Sequence, residues 1–218
     1  MPNESHFRLW TASDDENRTT QFTYTADGAL ATLKALNATT GDQTTTYTYG
    51  TTLSNSAVAT SVLLRQVQYP DSAGGSDVEL FEYNRQTQPT KFTDQLGTVH
   101  QYDYDLLGRQ TQDRVTTLGT NVDGAVRRIQ TTYVVRGMLQ KVTSYDNAAV
   151  GSGSIVNEVQ RAYNHFRQLE FEYQSHSGAV NTGTSPKVTY GYADAGSGSN
   201  TNRPTSMTYP SGWKLNYD

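Results

Sequence analysis

Apolar and polar side chains alternate residue by residue along much of this chain. From Val99 to Thr111, His100, Tyr102 and Tyr104 fall on one parity, and Gln101, Asp103 and Asp105 on the other. A period of two marks a half-buried β-strand, because successive side chains point to opposite faces. The same alternation returns at Val188, Tyr190 and Tyr192, and again at Trp213, Leu215 and Tyr217. Turn residues follow the runs. Asp105 opens a turn, where its carboxylate can accept a backbone N–H two residues on. Gly108 supplies the positive φ that ends a three-residue hairpin loop in a bulge. An acid-to-glycine step recurs at Asp27-Gly28, while Val134-Val135-Arg136-Gly137 keeps the glycine without the acid. Apolar residues come back on the return arms: Leu30 and Leu33, Phe92, Leu139 and Val142, Leu169 and Phe171, Met207 and Tyr209. The predicted element is the β-hairpin.

The hairpins repeat. Anchor tyrosines stand at Tyr24, Tyr49, Tyr83, Tyr104, Tyr133, Tyr163, Tyr192 and Tyr217, spaced by 25, 34, 21, 29, 30, 29 and 25 residues. Their mean, about 28, lies inside the roughly 20–50-residue period of repeat architectures. Loops read from Ser72–Ser76, Gly151–Ser154 and Ala195–Asn200 are rich in Gly and Ser, and composition does not change across them. They are therefore expected to be weakly ordered surface loops on one rim of a continuous array, not linkers between domains. Residues 1–20 match the repeat poorly and are expected to be an incomplete or frayed first unit. Residues 21–218 are expected to form one array of about eight hairpins.

Composition sharpens this. Of 218 residues, 32 are Thr, 16 Val and 15 Tyr, while 34% are hydrophobic and 17% charged. β-Branched and aromatic residues suit a pleated, half-buried surface, so the expected class is all-β. No apolar run approaches the roughly 18 residues of a membrane-spanning helix. A net charge of −4, without a basic patch, argues against nucleic acid as a partner. With no cysteine there are no disulfides, thiolate metal sites or cysteine nucleophiles. The first residues lack the basic and apolar regions of a signal peptide.

Candidate chemistry is sparse. His6, His100, His165 and His176 sit in different repeats without metal-ligand spacing, so neither a metal nor a cofactor is expected. No serine stands in a G-x-S-x-G elbow. Asp27, Asp105, Asp146 and Asp194 fall at or near turns, where Asp stabilises backbone, so no catalytic role is assigned to them. Asp14-Asp15-Glu16 lacks the alternating oxygen ligands of a calcium loop and reads as a solvated acidic stretch. Asn17-Arg18-Thr19 and Asn37-Ala38-Thr39 fit the glycosylation acceptor pattern, which a Thr-rich chain produces by chance. Stacked tyrosines on neighbouring hairpins have two uses: a cross-strand ladder that holds the ribbon together, or a platform for sugar rings or peptide.

Tyr102-Asp103-Tyr104-Asp105-Leu106-Leu107-Gly108-Arg109-Gln110-Thr111 resembles the Y-x-Y-D-x-x-G-R signature of the RHS (rearrangement hotspot) or YD-repeat family. Shorter copies are Phe22 to Gly28, Tyr163 to Leu169 and Tyr192 to Asp194. The resemblance covers about residues 20 to 218. It implies a ribbon of side-by-side hairpins in a curved antiparallel sheet, part of a spiralling hollow shell. In bacterial members such a shell encloses a C-terminal toxin or effector domain; in animal relatives it belongs to a cell-surface adhesion protein. The bacterial kind also carries a self-cleaving, Asp-rich core segment, which is not found here. The implied role is non-enzymatic and structural, in a larger secreted protein whose remaining repeats and cargo domain are the partners. Glycans or a cell surface are the partners under the adhesion alternative. The repeat anchors are Tyr24, Tyr49, Tyr83, Tyr102, Tyr104, Asp105, Gly108, Arg109, Tyr133, Gly137, Tyr163, Tyr192 and Tyr217, as shell-building residues. The chain stops at Tyr217-Asp218 where a turn is due, so a fragment truncated at the C-terminus is expected. Eight hairpins at ~4.8 Å per strand give a sheet roughly 75 Å wide, and so broad a sheet curls. Its outer strands would offer unpaired N–H and C=O groups to further repeats or another chain.

Overall fold

A computed structural model describes residues 8–14, 18–39, 41–70, 77–193 and 203–217. His6, Asp15, Glu16, Asn17, Asp194 and the loops at 72–76 and 195–200, all singled out above, lie outside the described residues. Among the described residues there are sixteen strands and no helix. They are β1 (Thr11–Ser13), β2 (Thr19–Tyr24), β3 (Leu30–Ala35), β4 (Gln43–Thr51), β5 (Thr60–Gln68), β6 (Val78–Tyr83), β7 (Pro89–Thr93) and β8 (Val99–Tyr104). Then follow β9 (Gln110–Thr117), β10 (Arg128–Tyr133), β11 (Leu139–Tyr145), β12 (Ile155–Tyr163), β13 (Leu169–Ser175), β14 (Lys187–Tyr192), β15 (Pro204–Thr208) and β16 (Lys214–Asn216). The fold class is all-β, with antiparallel hairpins side by side.

The chain forms two compact units, residues 1–100 with 117–121, and residues 101–116 with 122–218. In the first, β1 to β7 pair in chain order, each antiparallel to the next. Register separates two faces. One carries Phe22 opposite Leu33, Tyr47 opposite Val67, and Phe81 opposite Phe92. The other carries the row Thr23, Thr32, Thr46 and Gln68, with the Thr23 and Thr32 hydroxyls 2.6 Å apart. Lys91 Nζ meets Glu82 Oε1 on that same polar face at 2.9 Å.

In the second unit β8 to β16 also run in chain order. One face pairs Thr131 with Val142, Val142 with Val159, Tyr190 with Met207, and Met207 with Leu215. The opposite face runs Gln112, Gln130, Thr143, Glu158, Ser175 across five strands. Connecting loops reach this polar face and bury it. Glu158, 3% exposed, accepts from Thr143 Oγ1 at 2.7 Å, Lys141 Nζ at 3.0 Å and the Val180 N–H at 3.1 Å. Arg128, 2% exposed, donates to the Ser152 carbonyl at 3.0 Å and stacks on the Tyr145 ring at 3.9 Å. The loop at 151–154 was expected to be weakly ordered. Here Gly151 and Gly153 adopt positive φ, Asp146 Oδ1 accepts the Ser154 N–H at 2.7 Å, and Ser152 caps Arg128. A conventional core is absent: among the described residues only Val67, Tyr83 and Tyr173 are buried hydrophobics.

Candidate functional site at the repeat turns

Asp105 organises the turn between β8 and β9. Its Oδ1 accepts the N–H of Leu107 at 2.9 Å and of Arg109 at 3.0 Å. Its Oδ2 meets both Arg109 Nε at 2.8 Å and Nη2 at 2.6 Å, a charge-assisted pair on a single carboxylate oxygen. Backbone bonds close the loop: Asp105 N–H to the Arg109 carbonyl and Gly108 N–H to the Asp105 carbonyl, both 2.9 Å. Gly108 sits at φ 77°, the left-handed region that glycine enters without a Cβ penalty. The Arg109 guanidinium, beside the backbone N–H groups, holds the Asp105 carboxyl below the usual carboxylate range.

Arg109 also reaches the next hairpin. Its guanidinium carbon lies 4.0 Å from the Tyr133 ring centroid, and Nη1 donates to the Gly137 carbonyl at 3.4 Å. The Tyr133 hydroxyl points back to the Gln110 carbonyl at 3.1 Å. Asp105, Gly108, Arg109, Tyr133 and Gly137 thus meet at one junction. Tyr104 leads into it from β8, with Tyr102 two residues earlier on the same face, and burial pushes both phenols up.

The five-residue frame recurs with different side chains. Thr25–Ala29, Asn84–Gln88, Asp94–Thr98, Val134–Met138, Asn164–Gln168 and Tyr209–Trp213 all make the same two backbone bonds, between 2.8 and 3.0 Å. Asn84 and Asn164 replace the carboxylate with an amide oxygen that accepts two N–H groups, as Asp105 does. In the first of these turns the opening residue is Thr25, whose Oγ1 accepts the Ala29 N–H at 3.1 Å. Asp27, singled out above, therefore stands in the loop and does not open it.

Anchor tyrosines follow a second rule. Tyr24, Tyr83, Tyr163 and Tyr192 donate their hydroxyls to the carbonyls of Leu9, Leu64, Leu139 and Leu169 at 2.8, 2.6, 2.7 and 2.9 Å. Tyr83, Tyr163 and Tyr192 each tie their hairpin to the preceding one, and Tyr24 ties its hairpin to the segment just before β1. Burial raises the Tyr83 and Tyr192 phenols, keeping those donors protonated. Tyr49 is placed differently: it lies inside β4 beside Gly50 at φ 98°, and a longer loop follows. Tyr217 follows β16, its N–H donating to the Thr205 carbonyl at 3.0 Å. Sequence reasoning missed the Asp94 turn, although Asp94-Gln95-Leu96-Gly97 carries the acid and the glycine. It also missed Thr87 and Arg167, which hold the left-handed position at φ 63° and 67°; without glycine they leave no signal.

His100 packs 6.2 Å from the Phe92 ring, and His165 sits at a turn tip. Among the described residues no group of three or more His, Asp or Glu is placed to hold a metal. What this arrangement does chemically is join one hairpin to the next.

No family model matches the chain, and no curated protein matches it. Solved structures do. The Tc holotoxin pore of Photorhabdus luminescens, in a form mutated in TccC3, is similar with a TM-score of 0.58 at 17% identity, over 93% of this chain and 10% of that one. A crystal structure of TcdB2-TccC3-Cdc42 is similar at 11% identity over 91% of this chain and 13% of that one, with a TM-score of 0.32. This chain spans about a tenth of the length of the holotoxin chain. The holotoxin likeness shows the fold: an antiparallel hairpin array of the kind found within a Tc toxin chain.

Proposed function

We propose that this chain is a non-enzymatic wall segment of a hollow β-shell, which encloses a C-terminal toxin or effector domain of a larger, secreted RHS-type protein. One observation carries the reading: nearly the whole chain superposes on about a tenth of a Tc toxin chain, in the fold that its Y-D-x-x-G-R turn predicts. The hairpin junctions support it, since every cross-hairpin tie at Arg109 and the anchor tyrosines is structural. In the first unit the row Thr23, Thr32, Thr46 and Gln68 suits a wall against an unfolded guest, because uncharged polar side chains give exposed apolar segments little to adhere to. Reading the coding sequence on both sides of residues 1–218 tests this. Further Y-D-x-x-G-R copies followed by an unrelated C-terminal domain are expected, and that domain should resist limited proteolysis within the complete protein. A membrane anchor directly after the repeats would instead favour adhesion.

A second reading, glycan binding, draws on one feature. Tyr190, Tyr192 and Tyr217 line an open cleft of about 550 Å³ beside Arg203, an aromatic and cationic setting suited to an acidic sugar. A glycan array without saturable binding would remove it.

A further inference from the structure

Turn tips tolerate most residues and favour Asp, Asn, Ser, Gly and Pro, so an apolar tip is not a requirement of the turn. In the second unit three successive turns on one rim carry such tips. Leu106 and Leu107 are 103% and 77% exposed, Val135 is 107% and Phe166 is 60%. Arg136 and Arg167 are exposed beside them, as is His165. The corresponding turns at 25–29 and 84–88 of the first unit carry Ala26-Asp27 and Arg85-Gln86 instead. Isolated exposed hydrophobics are ordinary, whereas a row of them rimmed by charge marks an interaction surface.

Charge complementarity narrows the occupant. The rim's own carboxylate, Asp105, is taken by Arg109, and Glu170 stands back from the tip in β13. That leaves a cationic and apolar row in a chain of net charge −4, which disfavours a second copy, since its matching rim would repel. The tips stand about 10 Å apart, two strand spacings, and are linked by Arg109 Nη1 to the Gly137 carbonyl at 3.4 Å and Arg136 Nη1 to the His165 carbonyl at 3.1 Å. The groove between the second and third, about 420 Å³ and open to solvent, offers no enclosed pit for a partner's side chain. Such a row fits a deformable anionic surface, where apolar tips enter the headgroup layer and arginines meet lipid phosphates and carboxylates. We propose that the rim formed by the turns at 105–109, 134–138 and 164–168 docks on an anionic lipid bilayer surface. This does not depend on the shell reading, because these turns present the row whether or not a cargo is enclosed.

Co-sedimentation of the whole chain with vesicles tests it. Binding is expected to phosphatidylcholine vesicles containing phosphatidylserine, to weaken as salt rises, and to be far weaker with phosphatidylcholine alone. Arg136→Ser together with Arg167→Gly should reduce binding roughly 30-fold at low salt. Leu107→Ser together with Phe166→Ser should abolish it while thermal unfolding stays unchanged, because both side chains are exposed. A parent chain that ignores both vesicle types overturns the proposal and leaves the rim to a protein partner. Undiminished binding in the Leu107→Ser, Phe166→Ser variant overturns it as well.

Discussion

At Thr87 and Arg167 a side chain occupies the left-handed position that Gly28, Gly97, Gly108, Gly137 and Gly212 fill elsewhere. A Cβ there crowds the following carbonyl, at a cost of roughly 1–2 kcal/mol. The burden is greatest for β-branched Thr87, so Thr87→Gly is expected to stabilise the chain by about 1 kcal/mol in chemical denaturation. Gly108→Val is the converse: it should destabilise by at least about 1–2 kcal/mol, and an unchanged thermal transition would refute the turn assignment. Asp105 adds a pH dependence. Its folded-state pKa is lowered first by Arg109 and then by backbone N–H groups. Its contribution is therefore complete above the unfolded value of about 3.9 and is lost as pH falls through the folded value. Asp105→Asn keeps the acceptor, as Asn84 and Asn164 do, but loses the guanidinium pair. The variant should be less stable than the parent at neutral pH, and the two should converge below about pH 4. Thermal unfolding followed from neutral to acid pH decides this.

Between elements, the ties are few and directional. Tyr163→Phe removes only the hydroxyl bond to the Leu139 carbonyl, and the denaturation midpoint should fall by the equivalent of about 1 kcal/mol. A double-mutant cycle with Arg109→Ala and Tyr133→Ala should return a coupling of about 0.5–2 kcal/mol, since the guanidinium lies over that ring. How legible were these elements? Period-two alternation exposed the strands, because side-chain parity is a local property. The Asp105 turn was equally plain, since its acid and its glycine are both written in the chain. At 84–88 and 164–168 the anchor tyrosines and apolar return arms already pointed to hairpins; what escaped was the left-handed residue, because a Thr or Arg at that position carries no compositional mark. The Arg109–Tyr133 stacking escaped for another reason: it depends on how adjacent hairpins register, which no single repeat contains. Loop coverage of Glu158 and Arg128 likewise comes from residues about 20 positions away, as the 22- and 24-residue separations show.

Across the described residues of both units, hydrophobic burial is sparse, with Val67, Tyr83 and Tyr173 the buried hydrophobics. Hydrophobic side chains are mostly half-buried, so stability rests on strand pairing, cross-strand hydrophobic and aromatic neighbours, and the satisfied polar groups around Glu158. Burial alone would raise the Glu158 pKa; its bonds from Thr143, Lys141 and the Val180 N–H outweigh that and lower it. Unfolding such a chain newly exposes less surface than unfolding a globule. Its urea m-value should therefore fall below that of compact proteins of equal length, and an m-value at or above that level would contradict the exposed arrangement.

Strand pairing in chain order has a mechanical consequence. Within either unit, a pull between first and last strands acts across the strands, along the interstrand hydrogen bonds. Under such a load the bonds are stretched one pair at a time, as in unzipping, and never sheared together. Each hairpin yields when its own tyrosine tie and turn release, and the next then takes the force. A motor or gradient drawing on one end of a unit would thus dismantle its sheet in small successive steps at low tension, while a load applied along the strands would meet the whole ladder at once.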